Sequence, residues 1–233
     1  MVKLKLALAL FVLSVPTVFA SQIPLSPSNV IGFFGVYGPE FLPMGILDHQ
    51  TGTINEPAQD GSFWLNWDNG PENAYIVIDL GAAFQIGSFD LFNTHNAWHN
   101  DRGTRAFSIE ASNSVAPGTG PGNDLTGDVV TLLSGNLLSA NFSSDPILAQ
   151  TFLTTAPGSY RYIRFSPHSV GSSVAPCCGS NVYGLNELRV FTPSTPFEDE
   201  ITDLAIHNPE PATMAFLGGG LVVFVLLRKR HSR

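Results

Sequence analysis

The hydrophobic pattern of this chain alternates with a period of two and is interrupted every few residues, which rules out most helical architectures. Ala74–Leu80 reads AYIVIDL, and Phe84–Phe92 reads FQIGSFDLF. Side chains on a strand point to opposite faces in turn, so Ile76, Ile78 and Leu80 share one face while Tyr75, Val77 and Asp79 share the other. Similar runs occupy Ala106–Ala111, Val129–Leu133, Leu148–Leu153, Tyr160–Phe165 and Leu185–Phe191. The 22 glycines and 17 prolines, with Asn and Asp, supply the turns between them. No apolar stripe at helical spacing competes with this pattern. An all-β domain is therefore expected, its seven or eight strands over about 165 residues packed as two antiparallel sheets rather than a barrel or a repeat array.

The two ends of the chain follow other rules. MVKLK, the apolar Leu6–Val15 and Val18-Phe19-Ala20 ahead of Ser21 have the three parts of a secretory signal peptide, which predicts export with residues 1–20 removed. At the other end Ala212–Leu227 is apolar and is followed by Arg228, Lys229, Arg230 and Arg233. As a helix, 212–227 would reach about 24 Å, short of a hydrocarbon core of about 30 Å. The positive-inside rule leaves the basic end in the cytoplasm and everything before Pro209 outside. Gly218-Gly219-Gly220 softens this single transmembrane helix as a permanent anchor. A core helix is the alternative, but the four terminal cations and the lack of an amphipathic stripe argue against it. Residues 192–207 (TPSTPFEDEITDLAIH) read as a polar, acidic, flexible spacer.

Charge narrows the partners. Between Ser21 and Leu227 the basic residues are Arg102, Arg105, Arg161, Arg164 and Arg189; five against nineteen Asp and Glu give a formal charge of −14. Nucleic-acid binding needs clustered cations that release counterions, so nucleic acid is set aside.

Asn208-Pro209-Glu210-Pro211, a short apolar helix and an Arg-rich end, in that order at the C-terminus, resemble the PEP-CTERM sorting signal of exported proteins from exopolysaccharide-making Gram-negative bacteria. The resemblance implies that an exosortase-type membrane peptidase recognises Pro209, Glu210 and Pro211. It also implies a transient span of the inner membrane and delivery to the cell surface or extracellular matrix.

A second resemblance spans Asp48 to Phe191. The segments AYIVIDLGAAFQIGSFDLFNTHNAWHNDRGTRAFSIEAS, YRYIRF and GLNELRVF are similar to the discoidin or coagulation-factor C-type domain. That implies a galactose-binding-like jelly-roll β-sandwich over residues 21–191. Members of that group often hold a structural calcium with an early Asp-Gly-Asn/Asp-x-x-Thr loop and a Glu on the last strand. Here Asp48, Thr53 and Glu187 match, while His49 and Gln50 depart from the pattern. Calcium takes six to eight hard oxygen donors, which these residue types could supply. In the alternative, Asp48 caps a turn and Glu187 is solvated or paired with arginine.

The loop Asn93–Arg105 (NTHNAWHNDRGTR) is the densest polar and aromatic patch in the chain. His95, Asn96, Trp98, His99 and Arg102 are the types a sugar site uses: a flat ring for the apolar sugar face, with amides, imidazoles and a guanidinium for hydroxyls. Asn-Asp-Arg-Gly is equally good turn chemistry, and Trp98 could simply cover the end of the sandwich. Trp64 and Trp67 read as packing residues, and Arg161 and Arg164, three apart on a strand, as opposite-facing ion-pair partners for carboxylates such as Asp79 or Asp90. Cys177 and Cys178 are adjacent; their Cα atoms, about 3.8 Å apart, would make a strained vicinal disulfide, the alternatives being free thiols or an intermolecular link. The sequence holds no Gly-x-Ser-x-Gly, His-Glu-x-x-His or phosphate loop, and no Cys-x-x-Cys. The expectation is thus a non-enzymatic, exported carbohydrate-binding domain linked to exopolysaccharide. The competing expectation is a structural or adhesive matrix protein with no defined small ligand.

Overall fold

A computed structural model of the chain describes residues 20–51, 62–66, 74–94, 102–138, 147–170 and 182–194. All of them belong to one compact unit, Phe19–Ser194. Its strands are β1 (Val30–Phe34), β2 (Trp64–Leu65), β3 (Tyr75–Gln85), β4 (Ser88–Asn93), β5 (Ala106–Ser112), β6 (Ser114–Pro117), β7 (Asn123–Thr126), β8 (Val130–Asn136), β9 (Gln150–Leu153), β10 (Ser159–Pro167) and β11 (Gly184–Phe191). Short 3-10 turns at Pro27–Asn29 and Pro43–Leu47 complete the described elements.

The expected two-sheet sandwich is present. One sheet has the order β1-β3-β10-β5-β8 and the other β2-β11-β4-β9. Every strand pairing in both is antiparallel. From β3 to β4 to β5, and again from β8 through β11, the chain crosses from one sheet to the other, the connectivity of a jelly roll. Ile76, Ile78 and Leu80 point inward as their alternation demands, meeting Leu91, Leu185, Leu188 and Val190 from the opposite sheet in one core. Phe165 links the layers, with Trp64 edge-on at 6.5 Å and Phe107 stacked at 5.7 Å between ring centroids.

The strand boundaries differ from the sequence reading in one instructive place. Phe84 and Gln85 belong to the end of β3, which continues through Gly81, and the break falls at Ile86–Gly87. A Cβ on Gly87 would lie 2.5 Å from the Cα of Pro193, so only glycine lets the chain turn against the outgoing backbone. Ser21 and Thr192 are joined there by a main-chain hydrogen bond of 2.9 Å, which draws the start and end of the sandwich together.

β6 and β7 form a hairpin over the outer face of the five-stranded sheet, around the loop the sequence marks as PGTGPGN. Arg164, on the strand face opposite Ile163 and Phe165, fastens it. Its Nε donates to Glu110 at 3.0 Å and its Nη1 to Asp124 of β7 at 2.9 Å, while its guanidinium carbon lies 5.8 Å from the centre of the Tyr75 ring. Arg161 does not point away from it as alternation predicted. A register slip between Tyr160 and Tyr162 breaks the alternation, and Arg161 meets Asp79 through two hydrogen bonds of 2.9 Å. Asp90 instead accepts from Thr151 at 2.6 Å.

Among the described residues no helix is long and apolar enough to cross a membrane. The expected transmembrane helix 212–227, the motif Pro209-Glu210-Pro211 and signal-peptide residues 1–19 lie outside the described residues, as do Cys177 and Cys178.

Removing Arg164 leaves two half-buried carboxylates facing each other. Arg164→Met should cost roughly 2 kcal/mol in urea unfolding, below the 3–5 kcal/mol of a fully buried pair because the site is partly solvated. Adding Glu110→Gln and Asp124→Asn should recover most of that loss. Acid should also act on Asp79, whose carboxyl is held below the usual range chiefly by the Arg161 hydrogen bonds. A depressed pKa contributes stability above the unfolded-state value and loses it as pH falls through the folded one. Asp79→Asn should therefore flatten the decline of unfolding free energy below pH about 4.

Candidate functional site

The two ends of the sandwich are built differently. At one end the connections are tight: Ile86–Gly87 between β3 and β4, and Thr154–Gly158 between β9 and β10. The described residues flanking segments 67–73, 95–101, 139–146 and 171–181 all lie at the other end. There Asn66 donates its main-chain N–H to Tyr183, Thr104 bridges to Val170, and Arg105 donates to Ser169 at 2.7 Å.

One buried side chain ties these flanks together. The amide of Asn93, the last residue of β4, donates to the carbonyls of Thr104 at 2.8 Å and Leu138 at 2.9 Å. Its oxygen accepts the main-chain N–H groups of Thr94 at 3.0 Å and Thr104 at 2.9 Å. Both donors and both acceptor positions of the amide are thereby used, the full capacity of an asparagine. Thr104 extends the stitch to β11, its hydroxyl donating to the Gly184 carbonyl at 2.8 Å. Between the two feet, Gly103 adopts φ +123, and a Cβ there would lie 2.8 Å from the Thr94 carbonyl oxygen. The residues flanking segment 95–101 are therefore joined by hydrogen bonds that any larger or differently shaped side chain at Asn93 would break.

Around this stitch the end of the sandwich has a small apolar prop of its own. Phe41, Phe63, Leu65 and Val182 are buried together, with Phe41 and Phe63 ring centroids 5.1 Å apart. Trp64 is fully buried and donates its indole N–H to the Gly35 carbonyl at 2.8 Å, so it is a core residue, as its position in the sequence suggested. Buried polar atoms with no hydrogen-bond partner among the described residues also gather here: Asn66 Nδ2, Thr94 Oγ1 and, on β11 beside the stitch, Asn186 Oδ1. Each such atom costs of order 1–3 kcal/mol.

Of the five residues expected to touch a ligand, Arg102 alone is described; His95, Asn96, Trp98 and His99 lie outside the described residues. Arg102 directly follows segment 95–101 and is 9% exposed. Sequence reasoning passed over Asn93 and Thr104. Their signal was modest: a polar Asn-Thr step closing an apolar strand, and a Gly-Thr step opening the next.

Of the three residues the resemblance implied for calcium, Asp48 and Glu187 are described, while Thr53 falls outside the described residues. Glu187 is fully buried on β11, and its Oε1 lies 3.2 Å from Nδ1 of His49 in the early loop. Asp48 ends the 3-10 turn Pro43–Leu47, and its Oδ1 accepts the Gln50 N–H at 2.9 Å. Among the described residues no group of three or more His, Cys, Asp or Glu is placed to hold a metal.

Two other features bear on chemistry. A cavity of about 600 Å³ lies at the tight end, lined by residues such as Gln85, Leu153, Thr154, Pro157 and Pro193. Among the described residues its walls hold no aromatic and no charged side chain. On the open face of the five-stranded sheet Ser108 Oγ and His168 Nε2 are 2.8 Å apart. No carboxylate among the described residues orients His168, which leaves the pair short of the third member a serine nucleophile uses.

No protein-family model matches the chain, and no curated protein sequence is similar to it. Solved structures are. A SusE-like protein aligns over 76% of this chain and 68% of its own at 11% identity, with a TM-score of 0.54. The chain shares that protein's fold. Structural neighbours also include an F5/8 type C domain from Bacteroides fragilis, over 76% of this chain and 98% of its own at 13% identity with a TM-score of 0.49. Another is the family 32 carbohydrate-binding module of Clostridium perfringens NanJ, solved in complex with galactose, over 74% and 99% at 14% identity with a TM-score of 0.46.

Asn93→Ala should remove four hydrogen bonds and orphan their buried partners. A loss of about 2–4 kcal/mol in urea unfolding is expected. Gly103→Ala, strained at its positive φ, should destabilise as well, whereas Ser108→Ala on the open face should change stability by no more than about 0.5 kcal/mol.

Proposed function

We propose that residues 21–191 form a galactose-binding-like, discoidin-type jelly roll that binds carbohydrate without catalysis, through the end of the sandwich at which Asn93 gathers the loops. The observation that carries this reading is that stitch. It fixes the feet of the segment holding His95, Asn96, Trp98 and His99, with Arg102 in its C-terminal foot. A sugar offers one apolar ring face and a set of hydroxyls. An indole with amide and imidazole groups, on a segment whose flanking residues are anchored, suits both, and prior anchoring lowers the ordering cost of binding. The exposed Leu138 and Leu148, on either side of segment 139–146, add apolar surface to the same end.

The proposal extends to where the protein acts. Residues 1–20 export the chain through the inner membrane, and 192–207 space the domain from it. An exosortase-type peptidase then processes the tail at Pro209-Glu210-Pro211, releasing the domain to the surface or extracellular matrix, where exopolysaccharide is the glycan at hand. The sequence features already given support this: a signal-peptide pattern at one end, and a motif, a short apolar segment and a basic cluster at the other.

Galactose, held by the NanJ module, is the first probe. Glycan-array and calorimetric binding with the purified chain should show a saccharide that binds with micromolar to millimolar Kd. Trp98→Ala should weaken it at least about tenfold, or about 1.4 kcal/mol, while Thr154→Ala at the tight end should leave it unchanged. A folded chain that binds no glycan, including the polysaccharide of its own host, would favour a displayed matrix component with no small ligand.

A further inference from the structure

The early loop and the last strand meet at a buried carboxylate that must be neutralised. Glu187 is fully buried, and its carboxylate is enclosed by His49 and Arg189. The discoidin resemblance implies a structural calcium at this place. Here the donors around Glu187 are N–H groups. Its Oε2 accepts the main-chain N–H of His49 at 3.1 Å, and its Oε1 lies 3.2 Å from His49 Nδ1 and 3.5 Å from Arg189 Nε.

The other side of the imidazole fixes the proton count. His49 Nε2 is 3.0 Å from the carbonyl oxygen of Leu25, which can only accept, so Nε2 carries a proton. The contact between Nδ1 and Oε1 then needs one more. With that proton on nitrogen, imidazolium faces carboxylate; with it on oxygen, neutral imidazole faces carboxylic acid. Both arrangements are neutral as a pair, so the buried site needs no added charge.

The backbone supports the same reading. His49 has φ +65, and it is the sole non-glycine residue in the left-handed region among the described residues. An imidazole held there by two ring contacts and a main-chain hydrogen bond has been over-determined by its surroundings, which is how such conformations persist. The remaining candidate donor, Asp48, turns one oxygen to the Gln50 N–H. A calcium ion at its usual 2.3–2.6 Å from the Glu187 oxygens would have to displace the His49 main-chain N–H, which cannot coordinate, together with the imidazole and the Arg189 Nε that face Oε1.

We propose that His49 takes the place of a structural cation in this chain: its imidazole and main-chain N–H close over the Glu187 carboxylate and join the early loop to the last strand without a divalent ion. His49 is thus a positioning residue. It bridges Leu25, ahead of the 3-10 turn Pro27–Asn29, to β11 and holds the Pro43–Leu47 turn against the sandwich.

Thermal unfolding of the full chain tests this, with calorimetric titration of calcium chloride alongside. Wild-type protein should give no binding heat with millimolar calcium, and its Tm should be the same in calcium and in EDTA. His49→Gly keeps the main-chain N–H and suits the positive φ, so it removes the ring alone; its Tm should fall by at least about 4 °C. A wild-type Tm that rises in calcium and falls in EDTA would overturn the proposal. So would a His49→Gly variant as stable as the wild type. The wild-type measurement decides even if the variant does not fold.

Discussion

The side-chain amide of Asn93 is the contact on which the organisation of this molecule turns. A two-sheet sandwich can present loops at either end, and burial of apolar faces does not choose between them. Four hydrogen bonds from one buried amide do, because they join the end of β4, the approach to β5 and the end of β8 at one point. Thr104 then adds β11 through Gly184. A fully satisfied buried polar group contributes little net stability but is costly to disturb, so it specifies geometry more than it adds energy. That division suits a binding module, in which the core holds the sheets and the polar stitch holds the loop feet.

The same economy appears on the outer faces. Arg164 draws the β6–β7 hairpin onto the sheet by pairing with two carboxylates from different strands, and Arg161 covers the register slip by meeting Asp79. These arginines leave few cations for partners in a chain dominated by Asp and Glu. Under the proposed function, recognition is assigned to hydrogen bonding and aromatic surface rather than to charge.

How much of this could be read from the sequence depended on range. The inward set Ile76, Ile78 and Leu80 was legible because period-two alternation is local, and the whole sandwich follows from several such runs. β1 and the two-residue β2 were not, since short edge strands carry too few residues to show a period. The boundary near Phe84 was misplaced because β3 runs on through Gly81 and the real break is set by Pro193, more than a hundred residues away. The candidate loop was visible in its composition, but its anchor was not. Asn93 is ordinary as a residue, and its partners at Thr104 and Leu138 meet it only in the fold. His49 is the sharpest case: it looked like a departure from an ion-binding pattern, and its meaning depends on an acid 138 residues further along the chain.

The account stands on the claim that the end organised by Asn93 is the binding end. An amide chemical-shift titration of the isotope-labelled chain with galactose-type saccharides measures this directly. The account predicts shifts that saturate and cluster at Thr94, Arg102–Thr104, Leu138, Val170 and Val182. Shifts clustering instead at Gly87, Thr154 and Gly158, or no saturable shift with any saccharide on a folded chain, would contradict it.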